Sequence, residues 1–359
     1  MTAFADARHR QRGAAGWGLR LGLAAGVALL LALAGTGATE DAGGHGPASG
    51  SCDRFAAPHG SDSARGTFQR PFRSAPRLAA ALRPGQTGCF RRGRYRSPDL
   101  KVETPRTTLR PFRKERVTLQ ADIRFRPWAR SSVLAGMRLQ GSSNRSEIQL
   151  TLSADHSALR GNRITNHHAS ASCVYVAPYH SAPPPRRVRI VGNKIHDCGE
   201  LPSTNHHHGI YVAGAGRTLI KGNWIYDNAS RGIQLYPAAQ RTQVRGNVVD
   251  SNGQGINVGS GESNTCSNRN RIVRNVLANS RLGWNAYSTS ERTCHGNVVR
   301  RNCVYARRDL GRRAENGGVQ KPRSFRARGN RIAKPRYLDR GAGNFRLREG
   351  SACWRLVRR

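Results

Sequence analysis

The sequence predicts an all-β fold, a right-handed parallel β-helix with a short N-terminal capping helix. Two phrases recur along the chain, and neither has helical periodicity. Apolar residues alternate in each phrase and Gly, Asn or Asp bounds it, which is typical of short strands and turns. The first phrase reads RIVGNKI (189–195), LIKGNWI (219–225), QVRGNVV (243–249), IVRNVL (272–277) and HGNVV (295–299), after an earlier LRGNRI at Asn162. The second reads HGIYV (208–212), RGIQL (231–235), QGINV (254–258) and LGWNA (282–286), after CVYVA (173–177).

The spacing of the phrases predicts how one coil is built. Two or three strands in about 22 to 24 residues form one rung, and stacked rungs pair each strand in parallel with its copies. The Ile and Val positions then fill the interior. Asparagines at one turn can stack their amides in a ladder, so we interpret Asn193, Asn223, Asn247, Asn275 and Asn297 as structural.

The N-terminus predicts export. Arginines precede an apolar run from Leu21 to Ala34 and small residues follow it, which is the layout of a signal peptide over residues 1–38. The run is shorter than the roughly 20 residues that span a bilayer, so a membrane contact is expected only if this segment is not cleaved. Residues 39–51 are small and polar and predict a flexible linker. We expect a secreted protein, or one anchored at the cell surface.

The mature chain divides into three predicted parts. Residues 52–99 form an N-terminal cap region, in which Ser74 N-caps a helix in APRLAAALR that ends at Pro84-Gly85 and covers the first rung. Residues 100–335 carry the parallel β-helix repeats. Residues 336–359 form a C-terminal strand and tail. Caps are expected because an open β-helix end exposes apolar interior and strand edges.

These features resemble the parallel β-helix repeat proteins of the pectin-lyase-like superfamily, of the secreted bacterial type. The repeats carry the resemblance over roughly residues 100–335. The opening segment around Pro58, Gly60, Asp62 and Pro71 also matches the lead-in of such proteins, and the segment from Tyr337 to Cys353 matches their terminal strand. The resemblance implies the fold and a polysaccharide partner. It does not establish chemistry, because many such proteins carry the repeat without a known activity.

All eight cysteines follow the signal segment, so disulfides are expected in an oxidising compartment. Nearness in sequence favours Cys52 with Cys89 and Cys266 with Cys294, and the other pairings stay open. Zinc is not expected, since no cysteine or histidine spacing fits a zinc finger.

The net charge of +39 comes mostly from arginine, because only six of the 60 basic residues are lysines. Arginine forms bidentate pairs with carboxylate, sulfate or phosphate, so polyuronates, sulfated glycans, teichoic acids and nucleic acid are all candidate partners. A genome rich in G and C would give the same bias without function. Specific nucleic-acid binding is not expected, because no recognition motif is present and export argues against it.

Alternation sends two positions of the second phrase outward and predicts two stacked columns on one face. Tyrosines and amides in such columns can stack on sugar rings and bond their hydroxyls, although an ordinary solvated sheet face is the plain alternative. The first column holds Tyr175, Tyr211, Gln234, Asn257 and Asn285. The second holds Tyr236 and Tyr287 among smaller residues. We predict Tyr175, Gln234, Tyr236, Asn257, Asn285 and Tyr287 as substrate-binding residues.

The stretch NHHHGIYV supplies the candidate catalytic residues. His206 and His208 precede the outward Tyr211, and Arg231 occupies the position matching His208 one rung on. A histidine or tyrosine can remove a proton from a sugar carbon while arginine neutralises the adjacent carboxylate, as uronate β-elimination requires. Consecutive histidines on a loop are also common as plain surface residues.

Other chemistries have less support. His206, His207 and His208 with His167, His168 and His196 could hold a transition metal, but spacing fixes no companion carboxylate. Calcium needs an acidic cluster, and Asp197, Asp227 and Asp250 recur at a turn where bonds to local backbone would explain them. Hydrolysis needs converging carboxylates, which the columns lack, although Glu200 and Glu262 lie on loops.

The sequence therefore predicts a protein that acts on extracellular, anionic polysaccharide, first as a uronate lyase and with less support as an epimerase or hydrolase. The alternative is a non-catalytic carbohydrate-binding or cell-surface β-helix protein. We expect no cofactor, no metal and a monomer.

Overall fold

A computed structural model of the chain describes residues 51–141, 148–261, 265–290 and 294–357. The predicted signal peptide and residues 39–50 of the predicted linker lie outside the described residues. Within the described ranges, no helix has the length and apolar character needed to cross a membrane. The described chain forms a right-handed parallel β-solenoid of about nine turns, which confirms the predicted fold.

The middle coils each contribute one strand to each of three parallel sheets, and the terminal coils contribute to fewer. The first sheet contains Arg54–Ala56, Thr87–Phe90, Thr108–Pro111, Val133–Ala135, Ala158–Arg160, Arg189–Val191, Leu219–Lys221, Gln243–Arg245, Arg271–Val273, Val298–Arg300 and Arg326–Arg328. The second contains Arg138–Gln140, Arg163–Thr165, Lys194–His196, Trp224–Tyr226, Val248–Asp250, Val276–Ala278, Cys303–Tyr305 and Arg331–Ile332. The third contains Ile148–Leu152, Ser172–Val176, Ile210–Val212, Arg231–Leu235, Gln254–Val258 and Ala286–Tyr287.

Two long strands join the second and third sheets at the N-terminal end. Gly93–Val102 pairs along Val117–Phe125, which in turn pairs with the first strand of both sheets. Further along the chain, in-register aliphatic residues such as Ile190, Ile220 and Val244 stack in the interior and are fully buried. Burial of each such side chain contributes about 1.5–3 kcal/mol, so the stacked column is the main source of stability.

An asparagine ladder runs inside the turn between the first and second sheets. The side-chain amide of Asn193 donates to Oδ1 of Asn223 at 3.0 Å, and that of Asn223 donates to Asn247 at 2.9 Å. The same bond links each following pair through Asn275, Asn302 and Asn330. The predicted ladder is therefore present.

The prediction that Asn297 is the last member of this ladder was wrong. Asn297 lies in a different turn, where it accepts from the side chain of Asn270, so HGNVV is one strand out of phase with the other copies. The matching copy is the stretch around Asn302, which the sequence analysis missed because HGNVV, a few residues earlier, carries the Gly-Asn pair and imitates the phrase.

The N-terminal cap contains a helix, Ala75–Ala80, as predicted. Oγ of Ser74 accepts a hydrogen bond from the backbone N–H of Arg77 at 3.2 Å, which is an N-cap contact. The helix ends with Ala81 as its C-cap, short of the predicted end at Pro84-Gly85. Leu78 is fully buried and anchors the helix on the core.

The C-terminal segment is an antiparallel hairpin, Tyr337–Asp339 and Asn344–Leu347, followed by the helix Ala352–Val357. Short 3₁₀ turns within Arg308–Gly317, interrupted at Gly311, precede it. Phe345 of the hairpin packs on Tyr226 of the second sheet at 4.6 Å between ring centroids. The hairpin therefore contacts the outer side of the second sheet.

Asp250 holds the hairpin in place. Its fully buried carboxylate accepts from the hydroxyl of Tyr337 at 2.7 Å and from Nε of Arg340 at 3.0 Å. The interpretation of Asp250 as a turn residue bonded to local backbone was wrong, because it aligns with Tyr226 in the sheet and its carboxylate accepts from side chains, two of them about 90 residues away.

Four disulfides are present: Cys52–Cys89, Cys173–Cys198, Cys266–Cys294 and Cys303–Cys353. Both pairs favoured by nearness in sequence occur. Cys173–Cys198 joins the start of a third-sheet strand to the turn that follows the second-sheet strand of the next coil, and Cys303–Cys353 joins the C-terminal helix to the second sheet.

Candidate functional site

The third sheet positions an outward column across five rungs. Tyr175 pairs in register with Tyr211, Tyr211 with Gln234, Gln234 with Asn257, and Asn257 with Tyr287. Glycine starts these strands for a steric reason: a Cβ at Gly255 would lie 2.1 Å from the carbonyl oxygen of Asn285.

The predicted position of Asn285 in this column was wrong by two residues. Asn285 is buried, and its amide donates to the carbonyls of Tyr305 and Gly317 at 2.8 Å each. Tyr287 takes its place in the first column and does not lie in the second column with Tyr236. The cause is the stretch SRLGWNA, whose glycine imitates the second phrase although Gly283 does not start a strand.

A cleft of 350 Å³ lies on this face. Six of the ten predicted site residues line it: His206, His208, Tyr211, Arg231, Gln234 and Tyr236. Three residues that were not predicted, Asn205, Ser260 and Thr289, also line it. The loop lengths gave a signal for the first two, because insertions into the rungs occur at 199–207 and 260–270. Thr289 follows the column directly and had no such signal.

Arg231 is the only described lining residue of the cleft with a permanent charge, and it is 6% exposed. Its Nε donates to the hydroxyl of Tyr287, and its Nη1 donates to the carbonyl oxygen of Asn205 at 3.0 Å. The Tyr287 hydroxyl also bonds Gln254 in the adjacent strand. Among the described residues, no carboxylate forms an ion pair with Arg231 or lines the cleft. A buried cation of this kind is costly unless an anion pairs with it.

His208 is buried beside Arg231, at 2% exposed. Burial lowers its pKa well below the usual 6.5, and the positive charges of Arg231, His207 and His206 act in the same direction. The imidazole is therefore neutral at pH 7. Nδ1 accepts from the backbone N–H of Arg231 at 3.5 Å, which assigns the proton to Nε2. His206 is exposed at the same cleft.

Tyr211 lies between His208 and Tyr175. Its ring centroid is 5.3 Å from that of His208 and 4.9 Å from that of Tyr175. Burial raises the pKa of Tyr211 to about 12, and neighbouring Tyr175 and Tyr236 contribute. The phenol therefore keeps its proton at neutral pH and can donate it or a hydrogen bond.

The amides form the far wall of the site. The side-chain amide of Asn257 donates to Oε1 of Gln234 and to Oγ1 of Thr289, both at 3.0 Å. The backbone N–H of Thr289 donates to Oδ1 of Asn257 at 3.1 Å. Asn257 is fully buried and fixes the orientation of two lining residues. Tyr175, Asn257 and Tyr287 thus support the cleft from behind and do not line it.

The other predicted ligands do not converge. No group of three or more His, Cys, Asp or Glu side chains in the described ranges is arranged to hold a metal ion. His196 accepts from Nε of Arg163 at 2.8 Å and contacts Asp197 at 2.7 Å, away from the cleft. Glu200 bonds Ser170 and lies 3.5 Å from Nδ1 of His207. Glu262 lies outside the described residues.

The three-sided solenoid and its polar, arginine-containing cleft define a parallel β-helix protein with a ligand-sized concave site. The family described as "right handed beta helix region" matches residues 134–319, more than half of the chain. The chain belongs to this family.

Several solved structures resemble this chain. A pectate lyase is 13% identical, covers 85% of this chain and 91% of its own, and superposes with a TM-score of 0.56. The A-module of a mannuronan C-5 epimerase from Azotobacter vinelandii is 12% identical, with 73% and 87% covered and a TM-score of 0.45. A rhamnogalacturonan lyase is 11% identical, with 81% and 91% covered and a TM-score of 0.43. A comparison with curated protein sequences finds no match. At 13% identity the likeness to the pectate lyase shows the fold alone.

Proposed function

We propose that this protein is a secreted lyase of anionic, uronate-containing polysaccharide and that its active site is the cleft on the third sheet. The observation that carries the proposal is the buried guanidinium of Arg231, which no described carboxylate neutralises. A uronate carboxylate is the complementary ligand, because its two oxygens accept paired N–H bonds from arginine. The likeness to a pectate lyase, which is named for an anionic glycan, and the four disulfides support the assignment.

The residues of the cleft fit the parts that β-elimination needs. Arg231 holds the carboxylate and makes the proton on the neighbouring ring carbon more acidic. A base then removes that proton, a carbon–carbon double bond forms, and the bond to the leaving glycosidic oxygen breaks. Tyr211 keeps its proton at neutral pH and donates it to the leaving oxygen.

We assign the base to His206 and a supporting role to His208. His208 has its Nδ1 occupied by the backbone N–H of Arg231, so its Nε2–H is a hydrogen-bond donor in the cleft. His206 is exposed in the same cleft and can accept a proton. Hydrolysis is disfavoured, because it requires two carboxylates across the scissile bond and no described lining residue is acidic.

The decisive experiment offers the mature protein a panel of polyuronates and sulfated glycans and records the ultraviolet absorbance of unsaturated uronate ends. We expect product on one class of polyuronate. Replacement of His206 by Ala or of Tyr211 by Phe should lower kcat by about 10²-fold or more, the usual contribution of a positioned acid or base. Arg231→Lys should mainly weaken binding, because lysine cannot form the paired contact.

His207→Ala is the matched control, since His207 lies between the two cleft histidines but does not line the cleft. It should keep full activity. If variants at His206, His208 and Tyr211 still form product, the reaction takes place at another site. Tight retention of a polyuronate without any product, lost in Arg231→Lys, would instead identify the non-catalytic carbohydrate-binding protein.

A further inference from the structure

A second concavity lies at the turn between the third and first sheets, outside the cleft. It has a volume of 490 Å³, and its charged lining residues are Arg186, Arg217, Arg241 and Arg269, with His295 at one end. We call it the arginine groove. No described lining residue of this groove is Asp, Glu, Phe, Tyr or Trp.

Three of the arginines occupy the same position in successive rungs. The backbone N–H of Arg217 donates to the carbonyl of Gln240, that of Arg241 to Asn268, and that of Arg269 to His295, at 2.7–2.9 Å. All three have φ of 56–57°, a left-handed conformation that glycine or asparagine adopts at lower cost. The same turn geometry therefore recurs in three successive rungs and presents the three arginine side chains in the same way.

The guanidinium groups are available to a ligand. Arg186, Arg217, Arg241 and Arg269 are exposed, and in the described part of the chain none of them forms an ion pair. Neighbouring rungs of a β-solenoid are about 4.8 Å apart, so the row presents one cation at each step along a straight line. An extended polymer with regularly repeated anions is the complementary shape.

We propose that the arginine groove is a second binding site, for an extended anionic polysaccharide bearing carboxylate or sulfate groups. Nucleic acid fits less well. Single strands bind through stacking on aromatic side chains, which the described groove lining lacks, and duplex reading needs a protruding helix or ribbon where this surface is concave.

The position of the groove suggests how such a polymer is used. Tyr236 lines the cleft and Ala238, two residues later in the same turn, lines the groove. A chain held along the groove therefore stays close to the cleft on the adjoining face. The groove contributes affinity for the polymer and no chemical step, so it is independent of the proposed elimination.

The test measures the Kd of polygalacturonate, of chondroitin sulfate and of single-stranded DNA by calorimetry, with dextran as the neutral polymer. Every protein carries His206→Ala so that the polymer stays intact. The groove variant is R217Q/R241Q/R269Q. Its matched control is R94Q/R96Q/R116Q, which removes the same charge from exposed arginines near the N-terminal end. Glutamine keeps most of the side-chain length in both.

We expect the groove variant to bind at least one of the two anionic polymers about tenfold more weakly and the control to bind it as the parent does. R217K/R241K/R269K should recover only part of the loss, since lysine keeps charge without the bidentate fork. Equal weakening in the groove variant and the control would overturn the proposal, because it would show a general charge effect. A larger loss for single-stranded DNA than for either polysaccharide would overturn it as well.

Discussion

The asparagine ladder gives the sharpest test of what holds the coils in register. Asn247 lies in the middle of the ladder and is fully buried. Its Oδ1 accepts from both the backbone N–H and the amide of Asn223, and its own amide donates to Asn275 and to the carbonyl of Ile220. Its amide also donates to the carbonyl oxygen of Arg245 at 3.2 Å, so Asn247→Ala removes five side-chain hydrogen bonds in one step.

The loss of stability comes from the polar groups that Asn247→Ala leaves without a hydrogen-bond partner. The backbone N–H of Asn223 loses its acceptor in a fully buried turn, which costs about 1–3 kcal/mol. The lost side-chain bonds add about 1 kcal/mol net, because the partners keep other contacts such as the bond from Asn223 to Ile190. We expect a fall of about 3 kcal/mol in the free energy of unfolding.

Guanidinium unfolding followed by circular dichroism measures this change, with the slope checked for loss of two-state behaviour. Asn330→Ala is the control, since Asn330 ends the described ladder, is only partly buried and can exchange its lost bonds for water. It should cost about 1 kcal/mol. If Asn247→Ala and Asn330→Ala lowered the free energy of unfolding equally, burial would not determine the loss of stability, and this explanation would be refuted.

Three further outcomes are expected. Burial lowers the pKa of His208 in the folded protein, so below the ordinary pKa of 6.5 the unfolded chain binds a proton that the folded protein does not. The free energy of unfolding should therefore fall as the pH drops below that value, by up to about 1.4 kcal/mol per pH unit. His208→Asn should remove this pH dependence in melting curves. Tyr287→Phe should lower the melting temperature and weaken uronate binding, since Arg231 loses the hydroxyl that orients it; unchanged affinity would show that Arg231 is held without it. Asp250→Ala should release the C-terminal hairpin, because Tyr337 and Arg340 lose their buried acceptor. Limited proteolysis should then show faster cleavage beyond residue 333, and an unchanged rate would contradict the role of Asp250.

Local repetition made the solenoid predictable. Each phrase carries its own strand pattern and turn residue, and stacking of identical units leaves few other ways to bury the Ile and Val positions. The same feature explains the errors. Asn297 and Gly283 lie in stretches that imitate a phrase, and composition alone could not show that their neighbours pair in another register.

The cleft was partly predictable for the same reason. His208 and Arg231 match across one rung, and register alone brings them together. The role of Asp250 depends on a hairpin about 90 residues later, for which no periodic pattern exists. The arginine groove was not predicted from the sequence, because its arginines are single residues at turns and differ little from the other arginines in the chain.

The bond between Asp250 and the C-terminal hairpin also sets an order of assembly. A growing chain can stack its early coils as they emerge, but the carboxylate of Asp250 has no arginine partner in the described structure until Arg340 has been made. Likewise, the aromatic surface around Tyr226 is covered only after Phe345 has been made. The flank of the middle coils therefore stays uncovered until the C-terminal hairpin has been made.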